Sequence, residues 1–250
     1  MTTGFGTATF LAAGLTMMAS TAHAADLKVM ASVAIQQAYN ELVPQFETAS
    51  GHKVVTEWVP TAIMMQRLRA GEAPDIVIMA SNGVDELIAA GKFTAGSRVD
   101  IAKSGIGVAV RKGAAKPDIS SAAAVKSALQ AAKSVAYSTG PSGVYLTALF
   151  DKMGLTAELK PKLKLVQGEP VGSVVARGDA EIGFQQVPEL LPEPGIDYIG
   201  TLPADIQQIT VFAGALPTGS RQVDAAKALA AFLKTPAAGA AFKKTGMEPG

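Results

Sequence analysis

The feature that most constrains this chain is an alternation of strand and helix patterns that begins near residue 26. The first three strand patterns are LKVMAS, HKVVTEW and PDIVIMAS, and a helical pattern follows each of them. In the first helix apolar residues recur at helical spacing, and Gly51 follows as a stop. PDIVIMAS is an unbroken apolar run, typical of a strand buried on both faces. This order predicts a parallel sheet covered by helices on both faces.

A second group of alternating patterns occupies the middle of the chain. KSVAYS leads into a predicted helix from Val144 to Met153, and KLKLVQ, GSVVARG and AEIGFQQ predict strand, helix and strand again. Two groups of about 100 residues each indicate two lobes. No Gly/Ser/Pro-rich linker divides them, so we expect the lobes to be joined by strands around a hinged cleft.

The first 24 residues differ in kind from the rest of the chain. They contain no charged side chain, include an apolar run from Phe10 to Met18, and end in the small-x-small tripeptide Ala22-His23-Ala24. This pattern predicts an export signal over residues 1–24, cleaved after Ala24, although the usual positive start is missing. The run is too short to span a bilayer, and we therefore expect no stable membrane insertion. A buried N-terminal helix is the alternative.

Composition excludes several classes of function. The formal net charge is +1, whereas a nucleic-acid-binding surface needs a dominant basic charge to neutralise phosphates. The chain has no cysteine, and His52 is the one histidine that follows the predicted signal. A cysteine nucleophile and a His/Cys metal site are thereby excluded, and a Ser-His-Asp triad would have to use His52. We expect no metal and no cofactor.

The ends of the predicted strands carry hydroxyls, amides and glycines, with few charges. In open α/β sheets ligands bind at the carboxyl ends of strands, where free amide N–H groups and helix dipoles favour an anion. Each feature also has a simpler explanation than ligand binding. Ser32 or Thr61 could be an N-cap, Gly140 and Gly143 could serve a turn, and Gln185 and Gln186 could be exposed to solvent at a strand end. The candidate residues at these ends are Ser32, Thr61, Ser81, Ser138, Thr139, Ser142, Gly143, Gln185 and Gln186.

Two short motifs resemble known functional motifs but do not match them in full or in context. GPSG, residues 140–143, lacks the Gly-Lys-Ser/Thr ending of a nucleotide-binding loop and the G-x-S-x-G form of a nucleophile elbow. The tripeptide Arg177-Gly178-Asp179 matches an adhesion motif, but its place between a helix and a strand favours a C-cap turn. The hypothesis that the protein is an adhesion or sensor module depends on that tripeptide and the fold alone.

Several stretches in sequence order resemble one family. LKVMASVAIQQAYNELVPQFETASGHKV, TAIMMQRLRAGEAPDIVIMAS, GPSGVYLTALFDKMG and ARGDAEIGFQQ are similar to the ModA-type periplasmic molybdate-binding proteins of ABC importers. The resemblance covers Asp26 to Glu248. It implies a type II solute-binding fold, in which two α/β lobes, each with a mostly parallel sheet, are joined by two crossover strands. We expect lobe I to comprise residues 25–105 and 209–250, and lobe II residues 106–208.

The resemblance also implies an anion site. The family holds its oxyanion with serine hydroxyls, helix N-terminal amides and a tyrosine. Ser138 and Thr139 would add hydroxyls, Gly143 and Val144 would add amides, and Tyr145 would border the ligand. The positions onto which the family's own ligand residues fall are Ala34 (with Ser32 nearby), Thr61, Ser142, Val171 and, for the tyrosine, Gln186.

Two functions follow from the resemblance. The leading interpretation is a monomeric periplasmic binding protein that delivers a small oxyanion, or a di- or tricarboxylate, to an ABC permease. The replacement of tyrosine by Gln186 and the presence of Tyr145 favour a carboxylate. The alternative is an isomerase, because a ModA-like branch contains aconitate isomerase, which moves a double bond in a tricarboxylate. That reaction needs a positioned base, and Tyr145, Glu57 and Glu169 are candidates.

Overall fold

The structure is a computed structural model that describes Met1 and residues 26–250. The predicted cleavage site and the rest of the predicted export signal lie outside the described residues. Within the described part of the chain, no helix combines the length and apolar character needed to cross a membrane.

Strands and helices alternate along most of the described chain. The strands are β1 (Asp26–Ala31), β2 (Lys53–Trp58), β3 (Ile76–Ala80), β4 (Val99–Ser104), β5 (Ile106–Arg111), β6 (Val135–Ser138), β7 (Leu163–Val166), β8 (Ile182–Gln186), β9 (Ile196–Thr201), β10 (Thr210–Ala215) and β11 (Glu248–Pro249). The helices are α1 (Gln36–Ser50), α2 (Thr61–Arg69), α3 (Ser81–Ala89), α4 (Ala122–Ala131), α5 (Pro141–Lys152), α6 (Thr156–Leu159), α7 (Val171–Ala176), α8 (Val187–Leu190), α9 (Val223–Phe232) and α10 (Pro236–Lys244), and a 3-10 helix spans Val33–Ile35.

The strands form two sheets, one in each lobe. The first has six strands in the order β11-β4-β10-β3-β1-β2, and the second has five in the order β7-β6-β8-β5-β9. The chain crosses between the lobes twice, at Gly105 between β4 and β5, and along residues 202–209 between β9 and β10. The predicted α/β architecture of two lobes joined by two crossovers is confirmed.

The sheets are more mixed than the predicted mostly parallel ones. β1 pairs in parallel with β2 and β3, and β6 with β7 and β8, but the other five described pairs are antiparallel. Every antiparallel pair includes β4, β5 or β10, the strands that border the crossovers. β5 and β10 are the strands that the chain enters from the opposite lobe, and both run antiparallel to their neighbours. The pattern of one lobe alone does not reveal this.

Two helices begin earlier than the sequence pattern predicts. α5 begins at Pro141 rather than at Val144, because Pro141 occupies the first helical position, where its missing N–H costs no hydrogen bond. The sequence pattern predicts α3 from Val84 to Ala90, but the helix begins at Ser81, directly after β3. Ser142 and Gly143 therefore belong to the first turn of a helix and not to the loop before it.

The six-stranded sheet of the first lobe buries apolar side chains on both faces. In β1, Leu27 and Val29 face a core that includes Tyr39 and Phe46 of α1. Met30, which lies between Val29 and Ala31 and points to the opposite face of the sheet, contacts a second core with α2 and α3. This alternation follows from the two-residue period of a strand. Burial on both faces fixes the register, which sets where the strand ends lie.

Asp75 joins three segments of this lobe through backbone donors. Its side chain is 6% exposed. One carboxylate oxygen accepts from the backbone N–H of Lys28 (2.8 Å), and the other from those of Arg221 (3.1 Å) and Gln222 (3.2 Å). The carboxylate thus connects β1 to the segment that leads into α9.

We expect Asp75→Ala to lower the free energy of unfolding by about 2 kcal/mol, because it removes a buried carboxylate and leaves three partly buried backbone donors unpaired. Chemical denaturation of both proteins measures the difference. The matched control is Asp205→Ala, which removes an exposed carboxylate and should change the stability by less than about 0.5 kcal/mol. Equal effects of the two substitutions would contradict this role of Asp75.

Candidate functional site

A cleft of about 640 Å³ opens between the two lobes. The first lobe contributes the segments that follow β1 and β2, and the second contributes those that follow β6, β7 and β8. This is the arrangement expected when carboxyl ends of strands meet at a cleft. Polar side chains that line it are Ser32, Gln36, Gln37, Asn40, Thr61, Ser138, Thr139, Glu169, Gln185 and Glu189.

On the first lobe, Ser32 and Thr61 reach the cleft by different means. Ser32 Oγ accepts from the backbone N–H of Ala34 at 3.4 Å, so the hydroxyl acts as the cap of the 3-10 helix. Thr61 is the first residue of α2, which starts after Pro60. Among the described residues the Thr61 hydroxyl has no hydrogen-bond partner, which leaves it available to a ligand.

On the second lobe, the segment 138–140 forms a tight turn before α5. The Gly140 N–H donates to Ser138 Oγ at 3.2 Å, and the Ser142 hydroxyl lies 3.4 Å from the same oxygen. The described residues provide no partner for the Thr139 hydroxyl. Each lobe therefore presents a threonine hydroxyl to the cleft, Thr61 from one side and Thr139 from the other.

The turn depends on glycine at position 143. A Cβ atom there would lie 1.6 Å from the carbonyl oxygen of Ser138, well inside van der Waals contact. At Gly140 the nearest atom to an added Cβ is Ser138 Oγ at 3.3 Å, and φ is −77°. Gly143 is thus required by the close approach of the helix to the end of β6, whereas Gly140 is not.

We expect Gly143→Ala to lower the free energy of unfolding by at least about 2 kcal/mol, because the strand end or the helix must move. Gly140→Ala is the matched control and should change the stability by less than about 1 kcal/mol. Urea denaturation of the two variants makes the comparison. A Gly143→Ala protein as stable as Gly140→Ala would show that the turn adapts without cost.

Several predicted site residues do not line the cleft. Ser142 is fully buried, and Gly143 packs against the end of β6. Val144 is 70% exposed but does not face the cleft. Ser81 begins α3 outside the cleft lining.

Tyr145 and Val171 make internal hydrogen bonds in place of the predicted ligand contacts. The Tyr145 hydroxyl donates to the carbonyl oxygen of Ile206 at 2.9 Å, and so ties α5 to the second crossover. The Val171 N–H donates to Gln185 Oε1 at 2.8 Å, so this amide is already occupied. Neither residue lines the cleft.

Gln186 lies at the hinge and not in the cleft lining. Its side chain is fully buried. In the orientation that satisfies all partners, its amide nitrogen donates to Ser104 Oγ (2.9 Å) and its oxygen accepts from Thr210 Oγ1 (2.9 Å). Ser104 ends β4 and Thr210 begins β10, so one side chain joins both crossovers to β8.

The described residues that line the cleft include no lysine and no arginine. Glu169 and Glu189 are its two ionisable side chains. Both oxygens of Glu169 accept from Arg177, at 2.7 and 3.1 Å, and this pairing lowers the Glu169 pKa. An anion in the cleft would therefore depend on helix N-termini and hydroxyls for its stabilisation, not on cationic side chains.

Glu189 is a site residue that the sequence analysis missed. It is partly buried in α8, and burial raises its pKa to about 7, against a smaller lowering by a hydrogen bond from Gln185. That bond runs from Gln185 Nε2 to Glu189 Oε1 at 2.7 Å. The only signal in the sequence is a carboxylate four residues after Gln185, at a strand end, and only tertiary structure shows it facing the cleft.

Gln185 makes two hydrogen bonds: its Nε2 donates to Glu189, and its Oε1 accepts from the Val171 N–H. Because the bond from Gln185 favours the charged carboxylate, we expect Gln185→Met to move the Glu189 pKa above its value of about 7. Carbon-13 NMR titration of the glutamate carboxyls measures this. Gln37→Met, in the same cleft but without a bond to Glu189, should leave the pKa in place; an equal pKa in all three proteins would contradict the assignment.

Comparison with known proteins agrees with this geometry. The family described as bacterial extracellular solute-binding proteins matches residues 27–248. The chain belongs to this family. The aconitate isomerase of a Pseudomonas species is 40% identical to it over 250 residues, covering 96% of this chain and 95% of that protein. The molybdate-binding protein ModA of Azotobacter vinelandii is 29% identical over 249 residues, covering 94% and 95%.

A solved structure shares the fold. The periplasmic molybdate-binding protein of Azotobacter vinelandii superposes with a TM-score of 0.73 at 20% identity, covering 89% of this chain and 98% of that one. The predicted resemblance to the ModA-type proteins is confirmed, and with it the prediction of a solute-binding protein.

Proposed function

We propose that the interlobe cleft binds a small tricarboxylate and that the protein interconverts cis- and trans-aconitate. The observation that carries this proposal is the 40% identity to an aconitate isomerase over nearly the full length of both chains. The identity to a molybdate-binding protein over a similar length is lower, at 29%. This reverses the order of the two functions that the sequence analysis favoured.

The cleft supports a ligand with several carboxylates. Its volume of about 640 Å³ is in the range of pockets for small organic molecules. The hydroxyls of Thr61 and Thr139 lie on opposite lobes, and α2 and α5 begin beside them. Separate carboxylates of one ligand could therefore bind separate helix N-termini, which makes closure of the lobes depend on an extended anion.

Import is the second candidate function. It is favoured by membership of a family of extracellular solute-binding proteins. In this case the protein is a periplasmic monomer, released from its signal after Ala24, that delivers the same anion to an ABC permease. The same cleft would serve import and isomerisation, and a measurement of substrate turnover distinguishes the two functions.

We expect tricarboxylates, such as citrate and propane-1,2,3-tricarboxylate, to stabilise the protein by about 2.7 kcal/mol at a hundredfold excess over Kd. Molybdate and sulfate should give smaller shifts at the same concentration, because one tetrahedral anion cannot reach both lobes at separate points. Thermal unfolding measures binding. Incubation with cis-aconitate, followed by chromatography, should show trans-aconitate forming above the rate in buffer.

Three results distinguish the candidates. Binding with turnover supports the isomerase. Binding without turnover removes the isomerase and favours import. A shift with molybdate that exceeds every tricarboxylate shift would contradict the proposed ligand class.

A further inference from the structure

We infer that the Glu189 carboxyl transfers the proton between two carbon atoms of the tricarboxylate. This inference rests on the proposed isomerisation and adds the group that performs it. Moving a double bond by one position requires a group that removes a proton from one carbon and returns it to another. The cleft must therefore contain a side chain that can be both base and acid.

The position of Glu189 suits this role. Its side chain lines the cleft and is only partly buried, so a bound ligand can reach it. Gln185 holds Oε1 at 2.7 Å, and the described residues provide no partner for Oε2. Gln185 is in turn fixed by the Val171 N–H. One carboxyl oxygen is thus anchored while the other is available to substrate.

The other candidate bases are less suited by their contacts. The Tyr145 hydroxyl is bound to Ile206 and does not line the cleft. Glu57 pairs with Arg67 outside the cleft lining. Glu169 faces the cleft, but Arg177 binds both of its oxygens and lowers its pKa, which makes it a weak base. Among residues 26–250, no histidine, lysine or cysteine lines the cleft.

The charged groups around α8 leave the Glu189 carboxyl to titrate near neutrality. Of the elements packed against α8, β5 ends in Arg111, and its contact with α8 is at the opposite end, beside Gly107; α7 is followed directly by Arg177. Arg177 is held by Glu169 and Asp179. Burial then places the Glu189 pKa at about 7, where the base and its conjugate acid are both populated.

The step balances without a co-reactant. The Glu189 carboxylate takes a proton from the methylene carbon of aconitate, and the C–H electron pair spreads over a three-carbon anion stabilised by the substrate's carboxylates. The acid proton of Glu189 can exchange with water at this stage, and the protonated Glu189 then donates a proton to the carbon at the other end of the anion. The double bond moves by one position, and its new configuration is set by how the cleft holds the methylene arm. No atom is oxidised or reduced.

We expect Glu189→Gln to lower kcat for aconitate interconversion by about 10²–10⁴-fold, the usual contribution of a positioned acid or base. Its amide keeps the shape and hydrogen-bonding ability of the carboxyl, so the thermal shift with propane-1,2,3-tricarboxylate should stay within a few-fold in Kd. In deuterated water, wild-type protein should incorporate deuterium into the methylene group of aconitate by proton NMR, and Glu189→Gln should not. A merely structural role would not separate exchange from binding in this way.

The matched control is Glu193→Gln, three residues beyond α8. Glu193 accepts from the Ser173 hydroxyl at 2.7 Å and does not line the cleft, so the variant should keep wild-type turnover. Turnover by Glu189→Gln within tenfold of wild type would overturn the inference while leaving the isomerase intact. Absence of turnover by wild type would instead remove the proposed function.

If Glu189→Gln does not fold, Glu189→Asp replaces it in the same assays. The shorter side chain draws the carboxyl away from its substrate carbon, so we expect kcat to fall at least tenfold with Kd for propane-1,2,3-tricarboxylate nearly unchanged. The wild-type kcat/KM should also depend on an ionisation near pH 7, because kcat/KM reports the free protein, in which burial raises the pKa of Glu189 to about 7. An unchanged kcat in Glu189→Asp would overturn the inference.

Discussion

The two crossovers between the lobes, and the buried amide of Gln186 that joins them, define the frame on which the cleft depends. Gln186 ends β8, while Ser104 and Thr210 belong to the two crossing strands. All three side chains are buried, so their hydrogen bonds have no competition from water. The lobes are held in one register at this point, and the strand ends on both sides can then face one another.

The chemistry of the cleft depends on its hydroxyls and helix N-termini and also on the absence of cationic side chains from its described lining. Without a lysine or arginine in the lining, an anion meets backbone N–H groups, helix dipoles and hydroxyls. Such a site binds an anion without placing a cationic side chain beside a carboxyl. The Glu189 pKa therefore depends on burial and on the hydrogen bond from Gln185. A cationic side chain beside Glu189 would instead have lowered its pKa, kept it charged and made it a weak base.

The sequence predicts much of the fold, and the particular elements show why. β1, β2, β3 and the helices between them follow from local periodicity. The buried strand β3 is apolar on both faces, whereas the edge strand β2 alternates. The start of α5 does not follow from local periodicity, because Pro141 is compatible with both a loop and a helix. The packing of Gly143 against Ser138 selects the helix. The antiparallel pairs of β5 and β10 depend on which lobe the chain arrives from.

By itself the sequence determined the two-lobe α/β class, the strand ends that could meet a ligand, and the absence of cysteine chemistry, because these depend on composition and on short-range periodicity. Only the tertiary structure decided which strand-end residues share the cleft. Ser32, Thr61, Ser138, Thr139 and Gln185 face it, whereas Gln186 turns to the hinge, since neighbouring residues of a strand point to opposite faces. It also decided the chemistry of Glu189, because a pKa depends on burial and partners that lie far apart in the chain.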